Sequence, residues 1–163
     1  VYAERPIRGL LTKLIPVARI EEHVMSTKAS GITLKDALRV IEAASAEADS
    51  IGVAMNITVI DAGANLTAFH RQDGAWLGSI AVANAKAYTA RAFDMPTADL
   101  RSMVQPDEPL YGIESSDPGR IAAFPGGIPL KVGEQIVGAI GVSGGLVDQD
   151  QQVAEAGAAA LSS

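Results

Sequence analysis

The 163-residue sequence contains no cysteine. That excludes disulfides, thiol nucleophiles, zinc–thiolate sites and cysteine-ligated iron–sulfur clusters, and it says little about compartment. Histidine is nearly as scarce. His23 and His70 are the two in the chain, and neither has a second imidazole near it in sequence, so a dedicated metal site is not expected. Aromatic residues are only 4% of the total, which leaves few rings for stacking on bases. A basic stripe is missing too. The net charge is −6, and nucleic acid is not an expected partner. No apolar run approaches the roughly 20 residues that span a bilayer, so no membrane partner is expected. The expected compartment is the cytoplasm, with export left open.

What is present is a small-residue-rich chain, 48% hydrophobic, of a length that suits one globular domain. Residues 1–24 carry a slight basic excess through Arg5, Arg8, Lys13 and Arg19, and the remainder is strongly acidic. The contrast suggests an N-terminal arm or extension over 1–31 and a single domain over 32–163. In "ITLKDALRVIEAASAEADSIG", Thr33 and Asp36 resemble a capping box and Gly52 a stop. Leu34, Leu38, Ile41 and Ala48 share one face of the helix between them. "MNITVID" and "NLTAFHR" read as a hairpin whose turn lies between Asp61 and Asn65. "GSIAVANAKAYTARAF" predicts an Ala-rich helix ended before Pro96, with Thr97 capping a short one after it. The stretch 105–119 is irregular. "RIAAF", "IPLKV" and "QIVGAIGVSGG" then predict three strands before a closing helix. Consecutive hairpins with helices at both ends imply an α+β fold with a five-stranded antiparallel sheet.

Three stretches carry polar chemistry. "HRQDGA" sets His70, Arg71 and Asp73 where a strand gives way to a long helix, a place where folds often display functional side chains. An imidazole there serves as ligand or proton carrier, and a guanidinium as a carboxylate clamp. The alternative is an ordinary Asp73-Gly74 turn, and spacing alone favours it. "NAKAYTARAF" puts Lys86, Thr89 and Phe93 on one stripe. That lysine is a buried charge partner, a catalytic amine or, most simply, a side chain reaching solvent. The glycines of "FPGGIPLKVGEQIVGAIGVSGG" sit inside an apolar strand rather than between strand and helix. They mark close backbone approach, not a dinucleotide loop. Asp148 and Asp150 read as charges at a helix start.

Five segments, "ITLKDALRVIEAA", "VIDAGANLTAFHRQDGA", "KAYTARAFDMPTADL", "FPGGIPLKV" and "VGAIGVSGGLVDQDQQVAEAGAAAL", resemble the GlcG/HbpS-like family in order. This family is also called the haem-degrading-domain or PduO C-terminal-like family, and the resemblance covers about residues 32–161. It implies a profilin-like layout with helices on both faces of the sheet, and homo-oligomers, commonly octamers. It also implies a ligand region near Asp61, Asn65, His70, Arg71, Asp73, Lys86, Thr89, Thr97, Gly126, Gly127 and Ser143. The chain departs from the family pattern at Ala64, where a second glycine is common, and at Gln72, where Met is common.

Two functions follow from the resemblance. In the first, the protein is an oligomeric binder of haem, a related tetrapyrrole or another anionic ligand. His70 is then a possible axial ligand, Arg71 or Lys86 engages a propionate, and Asn65, Thr89, Thr97, Gly126, Gly127 and Ser143 line the site. In the second it is a cofactor-independent hydrolase or tautomerase for a small unsaturated carboxylic acid in glycolate or aromatic-acid catabolism. Asp61 or Asp73 is then the general base and Lys86 the proton donor.

Overall fold

The computed structural model describes residues 31–162. The arm expected before them and His23 lie outside the described residues. The chain forms α1 (Leu34–Ser50), β1 (Asn56–Asp61), β2 (Leu66–Arg71), α2 (Gly78–Ala92), α3 (Thr97–Met103), a 3-10 turn (Ile113–Ser116), β3 (Gly127–Val132), β4 (Gln135–Ser143) and α4 (Val147–Ser162). The fold is α+β. Its sheet has four strands in the order β2-β1-β4-β3, and each neighbouring pair is antiparallel.

The expected fifth strand, "RIAAF" at 120–124, does not form. The N–H at its centre is satisfied by a helix side chain instead of a neighbouring strand. Thr89 Oγ1 accepts from the Ala122 N–H at 2.9 Å, and its single proton goes to the Ala85 carbonyl at 2.8 Å. Thr97 is likewise not a cap. It is the first residue of α3, and its hydroxyl accepts from the Gly127 N–H at 2.9 Å, which fastens the start of β3.

Alternation along the strands divides the core in two. Ile57, Val59, Ile140 and Val142 face α1 and α4, where they meet Val40, Ala44 and Val153. Ile60 and Ala139 face α2, against Ala87 and Ala90. The Thr33–Asp36 cap of α1 is present, with Thr33 Oγ1 accepting from the Asp36 N–H at 3.1 Å. Of the expected stripe on α1, Ile41 and Ala48 are buried but the two leucines are not. Leu34 and Leu38 are exposed, and Ala37, Val40, Ile41, Ala44 and Ala48 are buried. The reason is helix–helix approach. A Cβ placed on Gly157 of α4 would lie 3.1 Å from both Ala44 Cβ and the Val40 carbonyl, so only the small side of α1 fits there.

Candidate functional site

β2 is an edge strand, and His70, next to its last residue, faces α1. Register pairs His70 with Ile57, which puts the imidazole on the α1 side of the sheet. There Ser45 Oγ lies 2.9 Å from His70 Nδ1. Fixing one ring nitrogen leaves Nε2 for a ligand. Gln72 ties the same strand end to α1 and β1. Its Nε2 donates to Asp49 Oδ1 at 2.8 Å and to the Ser45 carbonyl at 3.3 Å, and its Oε1 accepts from the Met55 N–H at 2.8 Å. An open groove of about 460 Å³ results, lined by Ser45, Asp49, Gly52, Val53, His70, Arg71, Gln72 and Asp73 among others.

This groove is electronegative. Asp49 and Asp73 line it, and the C-terminal end of α1 adds its partial negative charge. Arg71 lines the groove as well, one cation against two acids, and its guanidinium is tied to the backbone. Its Nε and Nη2 both donate to the Ala75 carbonyl, at 3.1 and 2.8 Å. The arrangement suits an imidazole ligand to a cationic centre, with anionic substituents directed outward. Asp73 is exposed and belongs to a turn with Gly74, whose φ is +85°. The "HRQDGA" segment is therefore both a turn and a polar cluster.

Lys86 lies elsewhere. It is fully buried, and its ammonium donates to Asp150 Oδ2 at 2.5 Å and to the Val142 carbonyl at 3.0 Å, 4.6 Å from the Phe124 ring centroid. Burial lowers its pKa, and the charge and hydrogen bond of Asp150 oppose that only in part. Asp150 Oδ1 accepts from the Gly144 and Gly145 N–H groups at 3.1 and 3.0 Å. Asp150 thus does far more than open a helix. The sequence signal for it was an acid a few residues beyond a Gly-Gly pair, which is weak on its own.

The glycines of "PGGIP" complete the same network. A Cβ on Gly126 would come within 2.8 Å of Lys86 Nζ, and φ there is +117°. The Gly126 N–H donates to Gln151 Oε1 at 2.9 Å. With Gly127 bonded to Thr97, both N–H groups are used within the chain. Ser143 is buried opposite Asn56 at the end of β4. Thr89, Thr97, Gly126 and Gly127 therefore hold segments together around Lys86, away from the His70 groove.

Asp61 and Asn65 meet across the β1–β2 turn. Asp61 Oδ1 accepts from the Gly63 N–H at 2.8 Å and the Asn65 N–H at 2.9 Å. Desolvation by burial raises its pKa, but the hydrogen bonds from the Asn65 backbone, the Asn65 side chain and Gly63 outweigh it, and the net shift is downward. The sign follows from linkage. The stabilisation is present above the ordinary value of 3.8 and is lost as pH falls through the lowered folded-state value. Asp61→Ala should cost about 1 kcal/mol at neutral pH. It should also flatten the acid limb of a urea-unfolding series, whereas a limb as steep as the parent's would contradict this account.

Among the described residues no group of three or more His, Asp or Glu side chains is placed to hold a metal ion, and no helix is long and apolar enough to cross a membrane.

Residues 32–159 match the family model described as haem degrading protein HbpS-like. A 15.0 kDa Citrobacter freundii protein from the dhaT–dhaS intergenic region is 37% identical over 130 residues, covering 80% of this chain and 92% of that one. The corrinoid adenosyltransferase PduO of the same organism is 34% identical over 145 residues; these cover 89% of this chain and 43% of that protein. Among solved structures, a PduOC–haem complex superposes with a TM-score of 0.77 at 34% identity, covering 80% of this chain and 94% of the other.

Proposed function

Because the chain belongs to the HbpS-like family, we propose that it is a self-associating protein that binds haem or a related tetrapyrrole, with His70 as the axial ligand. The observation that carries this reading is the His70 ring, held through Nδ1 by Ser45 at the rim of an open groove. A relative of similar fold was crystallised with haem, which supports the ligand class. When bound, haem supplies the redox and Lewis-acid chemistry of its iron. The chain's part is to orient one imidazole and to shield one face of the macrocycle with the groove walls. The acidic groove favours propionates that point outward. Self-association is supported by large exposed apolar side chains, Leu34, Leu38, Trp76 and Leu77, and an octamer is the expected size. The enzyme reading has less support, since Lys86 has no exposed surface and the Asp61 carboxylate is occupied by its own turn.

A haem titration followed at the Soret band tests this. The parent is expected to saturate at a fixed stoichiometry. His70→Ala is expected to weaken binding by about tenfold or more, or about 1.4 kcal/mol, and to change the ligation spectrum. An unchanged low-spin spectrum in a His23→Ala/His70→Ala double variant would overturn histidine ligation.

A further inference from the structure

A second groove, of about 320 Å³, opens on the opposite face of the sheet, where α2 leaves β2 uncovered. We propose that it binds a small flat monocarboxylic acid, with the carboxylate on Arg120 and the Asn84 amide and the apolar body on Ile60, Ala85 and Leu66.

The donors are arranged by their neighbours. Ala81, Asn84, Ala85 and Tyr88 recur at helical spacing on α2, so two alanines open space over Ile60 between two polar side chains. Thr58 Oγ1 donates to Asn84 Oδ1 at 3.0 Å, which leaves the amide nitrogen as the group offered to a ligand. The Arg120 guanidinium lies over the Tyr88 ring, 3.8 Å from its centroid. Asp117 Oδ2 accepts from both Tyr88 Oη at 3.2 Å and Arg120 Nη1 at 3.3 Å. Nη1 is thereby committed, and Arg120 Nε and Nη2 have no partner among the described residues. That edge of the guanidinium is the fork that pairs a carboxylate in bidentate fashion.

The Asp117 contact does not close the site. The Arg120 side chain is 57% exposed, so the pair is screened by water and orients the cation more than it neutralises it. No second cation lines the groove, which argues for one carboxylate rather than two. Volume and lining fit a compact ligand, since small-molecule sites are mostly apolar with a few placed polar groups.

The test titrates benzoate, cinnamate and sorbate separately into the isotope-labelled full chain, with amide resonances followed by NMR. At least one acid should give saturable shifts at the Asn84 side-chain amide and along α2. Arg120→Gln should weaken that binding by about tenfold or more, and the corresponding neutral amide (benzamide for benzoate) should bind more weakly by a similar factor. Saturable shifts for none of the three acids, equal affinity in Arg120→Gln, or equal affinity of acid and amide would overturn the proposal. Haem binding reads the other groove, and its presence or loss does not enter this outcome.

Discussion

Lys86→Ala is expected to lower the folding free energy by about 3–5 kcal/mol, the usual cost of removing one partner from a buried ion pair. The loss comes less from the attraction removed than from what remains. Asp150 stays buried, still bonded to the Gly144 and Gly145 N–H groups, with no cation beside it. The Val142 carbonyl loses its ammonium donor as well. Lys86→Met combined with Asp150→Asn should recover much of the loss, because the amide oxygen still accepts from the glycines and no charge is buried. Urea unfolding measures both. A Lys86→Ala loss below about 1 kcal/mol, the level of an exposed pair, would show that the pair is not buried as described. Lys86 also contributes a pH dependence. Its folded-state pKa is lowered chiefly by burial, so between that value and 10.5 the unfolded chain binds more protons. Stability from this group therefore rises with pH across that window, and the Lys86 variants should lack the rise.

Gly141→Ala is the second large effect. An added Cβ would lie 2.1 Å from the Ala83 carbonyl oxygen and 2.4 Å from the Ala87 nitrogen. Both are backbone atoms of α2, so no side chain can rotate away and the helix itself must lift from β4. Overpacking of this kind costs about 1–3 kcal/mol and occasionally more, and the backbone contact places this case at the upper end. A drop in Tm of about 10 °C is the expected reading for a domain of this size. Gly78→Ala is the control, since a Cβ there meets nothing within 4 Å. Similar Tm values for the two variants would mean that α2 does not seat on β4 this closely.

Much of the fold was legible because local rules and tertiary structure agree. The Thr33 cap, the Asp61–Asn65 turn and the short β-branched apolar run of β1 each follow from short-range chemistry. The strand at 120–124 was misread for the opposite reason. Its apolar residues look strand-like, but the Ala122 N–H finds Thr89 of α2, a partner 33 residues away. The leucines of α1 were misplaced because hydrophobicity ranks leucine above alanine, whereas close approach to Gly157 requires the smaller residue.

The candidate site divides along the same line. That polar chemistry gathers at residues 70–73, and that the glycines of β4 mark close packing, was determined by the sequence alone, since spacing and composition already state it. Which side of the sheet each side chain faces was decided only by the tertiary structure. Although adjacent in the chain, His70 bonds to Ser45 of α1 and Arg71 to the Ala75 carbonyl. Folding joins Lys86 to Asp150 across 64 residues and seats Arg120 on Tyr88. Burial energies depend on such partners, and no local pattern in the chain encodes them.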